Sequence, residues 1–255
     1  MVREQRLVFG EVADAYQQAR PSYPAELFDV IVELAGLATG DRVLDVGAGT
    51  GKATESLVAR GFRVSAVEPS SEMADVLSER FPEVTVHRCG LEDWTVEPEA
   101  FGAVTAAQSW HWIDAGIGAE KAAAALRPGG WIALFWNRPS LDSCEWHDEL
   151  QPIYARVTPQ VSHRSLAEKW VMEGEHIDKL LNDERFGPPV VREVPWLQRY
   201  STDAYISLLG THSDHRLLPD AQRAELHGEI AESINARGGE IDHPYVTDLL
   251  AAPVR

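Results

Sequence analysis

The segment Val43-Leu44-Asp45-Val46-Gly47-Ala48-Gly49-Thr50-Gly51-Lys52 constrains this chain more than any other. A short apolar run, Arg42–Val46, leads directly into three glycines, and a helical pattern starts at Lys52. Glycines let a backbone turn sharply and pass close to a ligand with no Cβ in the way. The open N–H groups at the start of the next helix face the same space. Taken alone, the segment also fits a plain tight turn between a strand and a helix. A second strand, Arg63–Val67, ends in Glu68, 21 residues after Gly47. An acid at that place accepts hydrogen bonds from both hydroxyls of a ribose. A dinucleotide fingerprint, G-x-G-x-x-G, would put its third glycine at position 52, which is Lys52. The spacing here is G-x-G-x-G behind Asp45, which suits an adenosine without a pyrophosphate to cradle.

The surrounding pattern alternates. Pro24 opens a helix with Leu27, Ile31 and Leu34 on one face. Helices follow over Lys52–Arg60, Ser70–Arg80 and Ala119–Leu126, and strands over Glu83–His87, Phe101–Ala107 and Trp131–Trp136. Such alternation predicts an α/β fold: a doubly wound, Rossmann-like, mostly parallel sheet covered by helices on both faces. After Arg138 the rhythm changes to helices. Cys144–Val157 places Trp146, Leu150, Ile153 and Tyr154 on one face, and Ser165–Glu168 is a capping-box pattern ahead of a helix carrying Trp170 and Ile177. Strands near Val190–Val194 and Tyr245–Ala252 flank helices at Thr202–Leu209 and Asp220–Ala236. The expected organisation is one domain of seven strands. Residues 1–36 form an N-terminal helical cap, 37–137 the cofactor-binding core, 138–189 a helical insertion after the fifth strand, and 190–255 the rest of the sheet with its helices.

Charge narrows the partners. Lys and Arg number 23 and Asp and Glu 40, a net charge of −17. Nucleic acid and anionic membranes need a basic footprint, so neither is expected as a partner. With two cysteines no disulfide framework exists, and with no signal peptide at its start the chain is expected in the cytoplasm.

These motifs resemble those of the class I S-adenosylmethionine-dependent methyltransferases. Asp45–Gly51 is similar to that family's first motif and Val67-Glu68-Pro69 to its second. Gln108-Ser109-Trp110-His111-Trp112, after the fourth strand, and Leu126–Gly130, before the fifth, complete the set. Tyr16 with Arg20-Pro21-Ser22-Tyr23-Pro24, and Thr211-His212-Ser213 with Leu218-Pro219, resemble the small-molecule branch that includes trans-aconitate methyltransferase-like proteins. The resemblance implies S-adenosyl-L-methionine as cofactor and a small molecule as methyl acceptor. It implies that Gly47, Ala48 and Gly49 carry the methionine part over their backbone, that Asp45 organises the loop and the ammonium, directly or through water, and that Glu68 takes the ribose hydroxyls. Tyr16 and Arg20 belong to the cofactor site in this resemblance, with Arg20 on the carboxylate; a surface role is the alternative for Arg20. Met73 would lie on the adenine face, or serve plain helix packing. Gly90 stands where the family often has an acid for the adenine amino group, so Leu91 and Glu92 are expected to take that work. Gln108 would meet the amino-acid end of the cofactor.

An acceptor that carries a proton needs a base, and histidine is the usual agent. His111 is the leading candidate; the alternative is that it only walls the pocket with Trp110 and Trp112. His147, His163, His212 and His215 are further candidates. The last two have metal-like spacing, without other ligands identified for a zinc ion. Cys144 has no histidine paired with it. The acceptor is expected between the cap and the insertion, with Trp136, Asn137, Trp146 and Trp170 as walls, and Arg138, Arg164 and Arg199 as cations for a carboxylate. A nicotinamide-dependent oxidoreductase shares the strand–glycine–acid layout, with Lys52 against it. A non-catalytic adenosyl-ligand or partner-binding protein is a further alternative, and a nucleic-acid methyltransferase is opposed by the charge.

Overall fold

A computed structural model describes residues 20–140, 144–159, 161 and 175–255. Its frame is a seven-stranded sheet of order β3-β2-β1-β4-β5-β7-β6. The strands are β1 (Arg42–Val46), β2 (Arg63–Val67), β3 (Thr85–His87), β4 (Phe101–Ala107), β5 (Leu126–Pro139), β6 (Val190–Ser201) and β7 (Glu240–Pro253). β1 to β5 pair in parallel, and β7 runs antiparallel between β5 and β6. The helices are α1 (Ala25–Ala35), α2 (Lys52–Ala59), α3 (Ser71–Arg80), α4 (Ala115–Ala125), α5 (Glu145–Val157), α6 (Glu175–Leu181), α7 (Thr202–Gly210), α8 (Ser213–Arg216) and α9 (Asp220–Ala236).

Side chains alternate across each strand, so each face of the sheet has its own core. Val43, Val64, Ala103, Phe135 and Leu249 pack on one face with Leu27, Phe28 and Ile31 of α1 and Leu57 of α2. Leu44, Val104, Ile132, Leu134 and Leu250 pack on the other, with Trp94, Trp110 and the alanines of α4. Removing one such leucine from water contributes about 2–3 kcal/mol, which is why a half-chain of short apolar strands specifies both layers. A third cluster joins Trp146, Leu150 and Tyr154 of α5 to Tyr205 of α7, Leu226 and Ile230 of α9, and Tyr245 of β7.

Element bounds differ from the sequence expectation where glycine and proline sit inside strands. β5 starts at Leu126, and its register against β4 shifts between Phe101↔Leu126 and Ala103↔Trp131, so Pro128-Gly129-Gly130 is a bulge within the ladder. β6 reaches Ser201 and β7 begins at Glu240, because the two pair over twelve residues from Val190↔Ala251 to Ser201↔Glu240. Pro195 is tolerated on β6, the last strand of the order. α4 begins earlier than expected, at Ala115, capped by the Asp114 carboxylate, which accepts the N–H groups of Gly116 and Ile117. The expected helix after Ser165 lies outside the described residues up to its last part, α6, whose Ile177 and Leu180 join the Trp94–Trp110 core.

Candidate active site

A cavity of about 330 Å³ opens at the carboxyl ends of β1, β2 and β4, and it extends to β7 and the α7–α8 turn. The glycine loop forms one wall. It is stitched to the end of β2, where the Gly47 N–H donates to the Val67 carbonyl at 2.7 Å and the Ala48 N–H to the same oxygen at 3.3 Å. Gly47 has φ +65°, and a Cβ there would lie 2.5 Å from Cβ of Ser109. The absence of a side chain lets Ser109 come close enough for its hydroxyl to donate to the Val46 carbonyl at 2.6 Å, tying β4 to β1. Gly51 has φ +89° and faces Leu77 and Phe81, not the cavity.

Glu68 lines the cavity and is 5% exposed. Its carboxylate accepts the Gly49 N–H at 2.7 Å and the Ser70 N–H at 2.8 Å. The acid at the tip of β2 thereby holds the glycine loop and the start of α3 together. Met73, whose N–H is capped by the Ser70 hydroxyl, lines the cavity beside Gly49. Leu91 and Glu92 line it too; the Glu92 carboxylate accepts the Asp114 N–H at 3.1 Å.

Asp45 is placed differently. It is fully buried, is not a wall of the cavity, and accepts the hydroxyls of Thr54 at 2.7 Å and Thr105 at 3.1 Å. It joins β1 to α2 and β4. Burial pushes its carboxyl up to about 6, the two hydroxyls pulling the other way.

Gln108 follows β4 with φ +56°, and its N–H donates to the Phe135 carbonyl at 2.9 Å. This left-handed turn points its amide along the cavity, where Nε2 donates to the Asn137 carbonyl at 3.4 Å. Its buried Oε1 has no hydrogen-bond partner among the described residues. A buried acceptor left unpaired costs about 1–3 kcal/mol unless a ligand meets it.

His111 and Trp112 line the cavity with ring centroids 4.7 Å apart. Trp136 donates its indole N–H to Nδ1 of His111 at 3.4 Å. Arg20 is a wall residue whose guanidinium donates to the Thr211 carbonyl at 3.4 Å. Its charge, after burial, is the next influence holding His212 in the neutral form. Tyr16, His163, Arg164 and Trp170 lie outside the described residues.

Several expected acceptor walls are engaged elsewhere. Arg138 is paired with Asp248 at 2.7 Å and Glu193 at 2.8 Å, and Arg199 with Asp242 at 2.8 Å; neither lines the cavity. Trp146 donates to the Asp242 carbonyl at 3.0 Å and packs on Tyr205, His147 pairs with Gln151, and His215 sits between Tyr154 and His227. Cys144 is buried outside the cavity, with its thiol pushed up chiefly by burial. Of the expected walls around the insertion, Asn137 does line the cavity; its amide donates to the Ser22 carbonyl at 2.8 Å and holds the segment before α1 over the site. Sequence reasoning missed Tyr23, His243 and Tyr245 as wall residues. The signal was the alternation Ile241-x-His243-x-Tyr245, hidden because Pro244 interrupts it.

This arrangement has known counterparts. Residues 43–130 match the family model described as a methyltransferase domain. An uncharacterized methyltransferase of Mycobacterium tuberculosis is 34% identical over 251 residues, covering 96% of this chain and 95% of its own length. The solved structure named a "putative type II methyltransferase", from Anaeromyxobacter dehalogenans, is 27% identical with a TM-score of 0.62, covering 92% of this chain and 97% of that one. A Haemonchus contortus phosphoethanolamine N-methyltransferase 2 in complex with S-adenosyl-L-methionine shares the fold at 17% identity and a TM-score of 0.56, covering 98% of this chain and 60% of that one. The chain belongs to the class I S-adenosylmethionine-dependent methyltransferases. It is an enzyme, and S-adenosyl-L-methionine is the cofactor that membership of this family implies. Among the described residues no helix is long and apolar enough to cross a membrane.

Proposed function

We propose that this enzyme methylates a small-molecule acceptor held at the β7 end of the cavity, with the cofactor at the glycine-loop end. The observation that carries this reading is the continuity of one cavity from Gly49 and Glu68, past Gln108, to His243 and Tyr245. The cofactor fits the first end on chemical grounds. The Glu68 carboxylate, an acceptor that already takes two backbone N–H groups, would also accept the ribose hydroxyls. The orphaned Oε1 of Gln108 would accept from the cofactor's ammonium. Met73, Leu91 and Glu92 would border the adenine, and Arg20 would meet the carboxylate. Asp45 acts through the loop by holding Thr54 and Thr105.

The bound cofactor supplies an electrophilic sulfonium methyl group. The protein's task is to align the nucleophile behind that methyl and keep water out, and positioning of this kind supplies roughly 7–11 kcal/mol. Tyr23, Trp112 and Tyr245 give the second end aromatic walls that suit a flat or apolar acceptor body. The net charge of −17 supports a small acceptor over a nucleic acid.

Incubation with methyl-labelled cofactor tests this directly, using a panel of phenols, alcohols, amines, thiols and carboxylic acids beside total RNA. Label in a low-mass product is the expected result, and label confined to RNA refutes it. Calorimetry with S-adenosylhomocysteine and with NAD reports the cofactor end separately.

A further inference from the structure

We propose that His243 of β7, rather than His111, is the base that takes the proton from the methyl acceptor, through its Nε2. The assignment rests on the small-molecule reading above and identifies the acceptor class as one that carries a dissociable proton: a phenol, an alcohol or a protonated amine.

The two rings line the same cavity in opposite tautomers. Trp136 can only donate, so Nδ1 of His111 is the accepting nitrogen and its neutral ring carries the proton on Nε2. That ring has no bare nitrogen besides the one Trp136 occupies. Around His243 the logic reverses. Its Nδ1 lies 3.2 Å from the Pro244 carbonyl, which can only accept, so Nδ1 carries the proton and Nε2 is bare. The same carbonyl accepts the Ser140 N–H at 2.9 Å, which fixes it in place. Among the described residues the ring's hydrogen bond is the one at Nδ1, and none is made at Nε2.

Packing holds the ring in that state. His243 stacks on Tyr245 at 4.3 Å between centroids, and Trp146, Tyr200 and Tyr205 surround it at 5.3, 6.0 and 5.9 Å. Burial pushes its pKa down to about 3, with His147 adding to the effect. Arg20 and His212 face the same end of the cavity. Burial thus keeps the ring neutral at pH 7, with Nε2 able to accept a proton. As the acceptor oxygen or nitrogen bonds to the methyl carbon, the S–CH3 electron pair returns to sulfur and the acceptor proton moves to Nε2. One positive charge leaves sulfur as one arises on the imidazole, so the cavity gains none. Of the other groups at this end, His212 has its Nδ1 buried with no hydrogen-bond partner among the described residues, and the Asp214 carboxylate accepts the His215 N–H at 3.0 Å.

Long-range 1H–15N correlation on the intact, histidine-labelled chain at pH 7 reads the tautomers without an acceptor. His243 is expected with a protonated Nδ1 and bare Nε2, and His111 with the reverse; a protonated Nε2 on His243 overturns the proposal. The kinetic arm uses H243N, whose amide keeps the donor to Pro244 and deletes Nε2. On phenols, alcohols or amines that the wild type methylates, kcat is expected to fall about 10²-fold or more, with KM little changed and a smaller loss in H111Q. Equal kcat losses for H243N on carboxylate and proton-bearing acceptors, or a larger loss in H111Q or D214N, overturn it. Failure of the chain to bind S-adenosylhomocysteine would strike the cofactor placement instead, and leaves the tautomers as they are.

Discussion

Glu68 and Gly49 are joined by a 2.7 Å hydrogen bond from the backbone N–H of the glycine to the carboxylate. The side chain poised for a ribose is therefore also a clamp on the loop that would carry the methionine part. E68Q keeps an acceptor for Gly49 and removes the charge. Affinity for S-adenosylhomocysteine is expected to fall about 10- to 100-fold, the 1.5–3 kcal/mol usual for hydrogen bonds to a charged group. Isothermal calorimetry reads this, and unchanged affinity refutes the ribose role.

Gly47 and Ser109 occupy one space. G47A adds a Cβ 2.5 Å from the serine Cβ at a φ of +65°. Backbone strain and overpacking together cost about 2–5 kcal/mol. The variant is expected to unfold at lower urea concentration, and S109G in the same chain should recover the steric part. A double-mutant cycle with no coupling would show that the two residues are independent.

The buried Asp45 makes stability depend on pH. Its folded pKa, about 6, lies above the ordinary 3.8, so the folded state holds the proton more tightly than the unfolded chain. Its contribution is full below about 3.8 and is lost as pH rises through 6. That loss is on the order of 3 kcal/mol. D45N does not titrate, so urea unfolding at pH 4, 5, 6 and 7 should show the wild type losing ground against D45N as pH rises. Parallel curves would mean that Asp45 keeps its ordinary pKa.

Arg138 grips Asp248 with two bonds of 2.7 and 3.1 Å. Asp248 is 4% exposed, and burial pushes its carboxyl up even with the guanidinium beside it. Removing the arginine strands that carboxyl. R138M is expected to cost about 3–5 kcal/mol at pH 7, and the double variant R138M/D248L to regain most of it. The outer partner, Glu193, has a side chain 66% exposed, so E193Q should cost under about 1 kcal/mol. Chemical denaturation measures all three.

The first half of the chain was open to reading because its signals are local. A strand running into glycines, an acid one strand later and a buried apolar strand before Arg138 each state their structure within ten residues. Gly47, Ala48, Gly49, Glu68, Met73, Leu91, Glu92, Gln108 and His111 all line the cavity, as does Arg20. The bounds of β6 and β7 were not legible: Pro195 and Pro244 break the alternation, and pairing between residues 39 to 61 positions apart restores it.

By itself the sequence determined the sheet, its two cores and the cofactor class, since alternation, glycine spacing and charge act over short spans and do not wait for distant contacts. Tertiary structure decided the other end of the cavity. Which arginines were spent on Asp248 and Asp242, that Asp45 turned inward to two threonines, and which nitrogen of His111 and His243 stayed bare all depend on partners far along the chain. A hydrogen bond is made only where folding brings a donor to an acceptor, and residue identity says what a group can do before folding says what it meets.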